Sequence, residues 1–290
     1  LLKSYLGALF SSFSSFSWII VWDAHYFFVT LHVCKCGSST SCSVMDARSS
    51  LPSKPDNLIT PHIMKKLFLI LACCLMVLTV SAQKKVSVLG DSYSTFQGAN
   101  PANQAPFYPN NQNDVKQVEQ TWWSLYIKAM GHQLEVNDSW GGTTVCNTGY
   151  GHRDVSASSF TARMDRLGNP DIIFVFGGTN DAWANSPIGE YKYKNWNKED
   201  MMTFRPALAC LLTGLKKQYP KAKIYALLNS ELKEEINEST RVICKKCKVQ
   251  LIELHDIEKQ NGHPSVKGME AISQQLQEAI KDKPRARKRK

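Results

Sequence analysis

Along the last two-thirds of the chain, apolar and polar positions fall into blocks of two kinds. Short apolar runs rich in β-branched and aliphatic residues occupy 85–89, 134–137, 171–176, 223–228 and 249–254. Such runs read as strands covered on both faces, the mark of a parallel sheet. Between them, at 122–130, 158–167, 204–219, 231–245 and 266–280, apolar residues recur at helical spacing. Gly131 caps the first of these, Pro206 is tolerated in the first turn of the third, and Pro220 stops it. The alternation predicts one α/β domain over 83–282, built on a parallel sheet of about five strands. The Asn-, Pro- and Gln-rich stretch 97–117 has no period and is expected as a long loop over the active edge of that sheet. No internal repeat or second core is visible.

A different pattern precedes this domain. Lys65 and Lys66 lead an uncharged apolar run over 67–80, which ends in the small residues of Val80-Ser81-Ala82. These are the three parts of a bacterial secretory signal, and the run is short for a membrane span. Residues 64–82 are therefore expected to direct export, to be cut before Gln83 and to leave no stable membrane insertion. Cys73 follows Ile70-Leu71-Ala72 as in a lipoprotein, but the apolar run continues past it. Residues 1–63 show Ser, Phe and Trp clusters, three cysteines (Cys34, Cys36, Cys42) and no sustained period. A signal peptide works at an amino terminus. The natural start is thus expected at Met64, with 1–63 a non-native, unstructured upstream segment and the mature protein in the periplasm or outside the cell.

Composition changes little in this picture. With 43% hydrophobic and 21% charged residues the chain can bury a sizeable core. The formal net charge of +10 would suit a polyanion, yet the ten terminal residues hold seven basic side chains and one acid. Residues 283–290 read as a solvated basic tail on a nearly balanced body, which argues against nucleic acid as a partner. No oligomeric state follows from the pattern.

The chemistry collects at the carboxyl ends of the predicted strands, where open α/β sheets bind ligands. Gly90-Asp91-Ser92 ends the first, and Asn137 leads into Ser139-Trp140-Gly141-Gly142 after the second. Gly177-Gly178-Thr179-Asn180-Asp181 ends the third, and His263-Pro264 lies in the last polar loop. Gly-Asp-Ser by itself fits a helix cap equally well; the ordered set is what carries weight. A serine hydroxyl needs a base to become a nucleophile, and His263 is the candidate. The oxyanion of acyl transfer needs preorganised donors. The backbone N–H groups of Ser92 and Gly142 and the side-chain amide of Asn180 could supply them.

These residues resemble the blocks of the SGNH hydrolase superfamily, the GDSL-type esterases and lipases, over the whole mature domain. Gly90-Asp91-Ser92 matches the first block, with Tyr93 where leucine is usual. Asn137 with Gly142 is similar to the second, and Gly177–Asp181 closely matches the third. His263-Pro264-Ser265 followed by Gly268 resembles the last. The resemblance implies a flavodoxin-like three-layer α/β/α sandwich, a serine ester hydrolase, and no metal or organic cofactor. One position departs from it: Gln260 stands where the family has an aspartate that orients the histidine. The expectation is a Ser92–His263 dyad with Gln260 or a backbone carbonyl as orienter; Asp256 and Glu258 are the alternatives.

Aromatic residues crowd the same region, and Trp183 and Trp140 are the candidate substrate-binding faces, with Tyr191, Tyr193 and Trp196 nearby. Aromatic faces beside a hydrolytic serine suit sugar rings. The expected substrate is a small-molecule or oligosaccharide ester, with an O-acetyl group on a carbohydrate favoured. A lipase or thioesterase acting on longer chains and a catalytically weakened carbohydrate-binding protein are the rivals. Cys244 and Cys247 are spaced like half a zinc knuckle but have no second pair, so a buried thiol pair or a disulfide is expected.

Overall fold

Five parallel strands, β1 (Lys85–Gly90), β2 (Gln133–Ser139), β3 (Ile172–Phe176), β4 (Lys223–Leu228) and β5 (Gln250–Glu253), form one sheet in the order β2-β1-β3-β4-β5. The computed structural model describes residues 83–280, and ahead of them only the backbone of three strands. The signal-like segment 64–82 and the basic tail 283–290 lie outside the described residues. The upstream strands, Ala8–Phe13, Phe16–Trp22 and Val29–Cys34, pair antiparallel in sequence order. This differs from the unstructured segment expected there. The run Phe16-Ser-Trp-Ile-Ile-Val-Trp22 is dense in β-branched and aromatic residues, which extended backbone accommodates readily.

Among the described residues seven helices accompany the sheet: α1 (Trp122–Met130), α2 (Phe160–Arg163), α3 (Thr179–Trp183), α4 (Lys198–Met201), α5 (Phe204–Gln218), α6 (Glu234–Cys247) and α7 (Val266–Ala279). The strand period of two assigns the layers. Ile172, Phe174 and Phe176 of β3 join Trp122 and Tyr126 of α1 and Met269, Ile272 and Leu276 of α7. Ile173 and Val175 face the other way, toward Leu208, Leu211, Leu212 and Leu215 of α5 and Ile236 and Ile243 of α6. The result is a three-layer α/β/α sandwich. Each fully buried aliphatic or aromatic side chain contributes about 1.5–3 kcal/mol of transfer free energy, so the central strands anchor the domain.

The helix expected over 158–167 is a single turn, α2. The Leu167 N–H is taken by the Tyr219 hydroxyl (3.1 Å), and Gly168 (φ 70°) redirects the chain into β3. Elsewhere the predicted elements recur with ends shifted by a few residues. The chain leaves β1 for β2 on one side and later returns to β3 on the other. The crevice beyond the carboxyl ends of β1 and β3 is therefore the switch point at which this topology binds ligands. β2 marks it with polarity: its last residues, Asn137, Asp138 and Ser139, are all buried.

Candidate active site

Ser92 opens a 3₁₀ turn (Ser92–Ser94) directly after β1, and Asp91 caps that turn by accepting the Tyr93 N–H (3.0 Å). The tight exit from β1 requires glycine at 90, because a Cβ there would lie 2.6 Å from the Ser139 hydroxyl and 2.7 Å from that of Ser94. Asn137 supports the turn from β2, donating to the Ser94 carbonyl at 2.9 Å.

His263 stands on a hairpin in which Lys259–Gln260 pairs with His263–Pro264. The two turn residues, Asn261 (φ 50°) and Gly262 (φ 73°), both take left-handed backbone. That is the type I′ signature, and Asn-Gly is the pair that favours it. The hairpin brings Nε2 to 2.9 Å from Ser92 Oγ, and Nδ1 to 3.1 Å from the Asn261 carbonyl oxygen. A carbonyl can only accept, so Nδ1 carries the proton and Nε2 is free to accept from the Ser92 hydroxyl. Burial pushes the imidazole pKa below its ordinary 6.5, against the opposing pull of the Asn261 hydrogen bond.

The loop over 97–117 does cross this edge. It delivers Phe107, whose ring stacks on His263. It also delivers Asn113, whose amide donates to the Pro264 carbonyl (3.1 Å) and lies 3.3 Å and 3.4 Å from the carbonyls of Gln260 and His263.

The Gly141-Gly142 turn also lies beside Ser92. A Cβ at Gly141 would come within 3.9 Å of the Ser92 Cβ, and Gly142 sits at φ 72°. Asn180, in the first turn of α3, donates through Nδ2 to the Thr143 carbonyl (3.1 Å). It accepts at Oδ1 from the Tyr150 hydroxyl (2.7 Å). Both ends of the amide are thereby fixed, and its second N–H remains for a ligand. Among the described residues no protein acceptor takes the N–H of Ser92 or Gly142. The N–H groups of Ser92 and Gly142 and the second N–H of the Asn180 amide are thus left for a ligand.

Beneath this arrangement Arg163 is wholly buried. It donates to the carbonyls of Asp138, Gly90 (3.3 Å) and Ser158 (3.0 Å) and to the Thr143 hydroxyl (3.1 Å), and it pairs with the Asp138 carboxylate at 3.5 Å. Burial lowers its pKa to about 10. The guanidinium braces the ends of β1 and β2 against the turn that holds Gly142. Asp181 performs a similar service, accepting the N–H groups of Val145 (2.8 Å) and Cys146 (3.1 Å). Desolvation raises its pKa to about 6.

Two sequence-based assignments need correction. Gln260 does not orient His263: its amide oxygen accepts the Asp114 N–H (2.9 Å), and the Asn261 carbonyl holds Nδ1. Asp256 is exposed and contacts His255, while Glu258 accepts from the Ser265 hydroxyl (2.6 Å), so neither carboxylate replaces it. Trp140 is no binding face either. Its indole N–H is taken by Asp138 (2.8 Å), and Arg163 and Arg166 lie over its ring at 4.9 and 5.4 Å. Trp183 is different, being 46% exposed with its ring centroid 5.9 Å from that of His263. The thiols of Cys146, Cys210, Cys244 and Cys247 are free, with Cys244 buried. Among the described residues no cluster of side chains could hold a metal ion.

The family model for GDSL-like lipase/acylhydrolase matches residues 84–280, the whole of the domain just described. This chain belongs to the GDSL-like lipase/acylhydrolase family. It is an SGNH-type ester hydrolase. A GDSL-like lipase candidate from Bacteroides ovatus is 54% identical, with TM-score 0.67 over 68% of this chain and 98% of that one. A second, from Bacteroides uniformis, is 52% identical, with TM-score 0.68 over 69% and 96%. A carbohydrate esterase at 14% identity shares the fold, with TM-score 0.50 over 70% of each chain. No match occurs among curated proteins. Within this GDSL-like hydrolase, sequence reasoning missed Tyr150, Phe107, Arg163 and the hairpin under His263. Only the last had a local signal, the Asn261-Gly262 pair.

Proposed function

We propose that this hydrolase removes a small acyl group, an O-acetyl ester, from a carbohydrate outside the cytoplasm, through an acyl-Ser92 intermediate. The observation that carries the mechanism is the 2.9 Å contact between Ser92 Oγ and His263 Nε2. Ser92 Oγ attacks the ester carbonyl while its proton passes to Nε2. The resulting oxyanion is met by the N–H groups of Ser92 and Gly142 and by Nδ2 of Asn180. Collapse breaks the bond to the alcohol, which takes the proton from His263. A water molecule then repeats the sequence, giving its proton to His263 and releasing the acid and free Ser92. The Asn261 carbonyl holds the ring and favours its charged form, the part that a carboxylate plays in a full triad.

Aromatic side chains at the rim support a sugar ester as substrate. Among the described residues, Trp183 (46% exposed) and Tyr150 (38%) are large apolar side chains open to solvent at this edge. Trp183 adjoins the imidazole, and Tyr150 adjoins the oxyanion amide. Exposed rings flanking a hydroxyl nucleophile offer faces for sugar C–H groups. Export rests on the signal-like pattern of residues 64–82.

Acetylated oligosaccharides and p-nitrophenyl esters of rising chain length, offered to the wild type, Ser92→Ala and Trp183→Ala, test the reading. Turnover of acetyl esters, lost in Ser92→Ala, is expected, with Trp183→Ala raising KM for the sugar esters alone. A clear preference for long acyl chains would assign the protein to lipid esters instead.

A further inference from the structure

The dyad lacks a carboxylate on Nδ1, so something else must keep His263 in register with Ser92. The hairpin carrying His263 is only two residues wide, and a carbonyl from its own turn is a soft hold. Asn113 secures the hairpin's strands through the carbonyls of Gln260, His263 and Pro264. The peptide at the tip is held differently: the Tyr93 hydroxyl donates to the Gly262 carbonyl at 2.6 Å. Tyr93 follows Ser92 in the chain and Gly262 precedes His263. This bond therefore spans the same gap as the dyad, one residue removed on each side.

We propose that Tyr93 is the positioning residue of this dyad, its hydroxyl setting the separation of Ser92 Oγ and His263 Nε2 by tethering the hairpin tip to the nucleophile turn. The ring is delivered rigidly. It is wholly buried, packs edge-on against Phe176 (5.7 Å, 87°), and lies 5.1 Å from the imidazole it helps to place. Its backbone N–H is fixed by Asp91. Burial drives the phenol pKa far upward, so the group stays a donor throughout the range in which His263 titrates. A leucine at 93 would fill similar space and leave the Gly262 carbonyl without this donor.

The inference rests on the dyad reading, and the test separates the two. Tyr93→Phe removes one oxygen and keeps the packing. Its kcat on p-nitrophenyl acetate is expected to fall about ten- to a hundredfold, as small misplacements of reacting groups do, with KM within about twofold. The acidic midpoint of the rate profile is expected to rise toward 6.5 as the loosened imidazole gains water. Tyr93→3-fluorotyrosine keeps the hydroxyl and is expected to keep the kcat; it also serves if the phenylalanine variant loses its thermal transition. Full turnover in Tyr93→Phe with an unmoved midpoint, or a fluorotyrosine variant that folds but turns over slowly, would overturn the tether. Retained activity in Ser92→Ala would instead overturn the dyad itself.

Discussion

Phe107 lies flat against His263, ring centroids 3.5 Å apart and planes 9° from parallel. The loop that carries it arrives from between β1 and α1, and it closes one face of the imidazole to water. Because the base must be neutral to accept the serine proton, activity is present above the imidazole midpoint and lost as pH falls through it. Desolvation holds that midpoint below 6.5. Phe107→Ala re-exposes the ring, so the acidic limb of kcat/KM is expected to move up toward 6.5. A pH–rate profile on p-nitrophenyl acetate for both proteins checks the direction.

In the proposed mechanism Asn180 is the one oxyanion donor that comes from a side chain, and so the one that substitution can remove. Asn180→Ala is expected to lower kcat on the order of 10²–10³-fold with little effect on KM. Tyr150→Phe, which frees the amide oxygen, is expected to lower it only severalfold, the scale of one net hydrogen bond. In the double variant the tyrosine effect should vanish, since it acts through the amide. Steady-state kinetics of all four proteins closes the cycle.

Asp91 shows how the site strains the fold. Its Oδ2 has no hydrogen-bond partner among the described residues, and burial, with the charge of Asp181 adding to it, raises its pKa from 3.8 to about 7. A folded state that holds a proton more tightly than the unfolded chain is stabilised below 3.8 and loses that stabilisation as pH rises through about 7. Asp91→Asn keeps an acceptor for the Tyr93 N–H and carries no charge. Its Tm relative to wild type is expected to improve between about pH 5 and about pH 8, as thermal melts at the two pH values would record.

The central strands were legible because a parallel sheet covered on both faces leaves uninterrupted apolar runs, as in Ile172–Phe176. Ser92, Gly142, Asn180 and His263 were legible because each follows a strand or sits in the polar loop beyond the last one. The structure brings Ser92 and His263 within 2.9 Å and sets Gly141, the neighbour of Gly142, beside Ser92. Contacts made by single long-range hydrogen bonds were not legible. Gln260 stood three residues before His263, but the backbone N–H of Asp114, 146 positions away, captured its amide. Spacing fixes which residues are neighbours in the chain, not which way a flexible side chain turns. Arg163 was hidden for a related reason: a charged residue in a helical pattern reads as surface, and only the tertiary structure supplies the carbonyls that let it be buried. Trp140 looked like a platform because it lies beside the loops over the site, yet Asp138 takes its indole N–H and the guanidinium of Arg163 covers its ring.

Covalent labelling tests the dyad most directly. A fluorophosphonate reacts with a serine only where a base activates it, and peptide mass spectrometry locates the adduct. The account predicts a single adduct on Ser92 in the wild type, forming ever more slowly as the solution is acidified, and none in His263→Ala. An unlabelled Ser92 in folded wild-type protein, or equal labelling without His263, would contradict it.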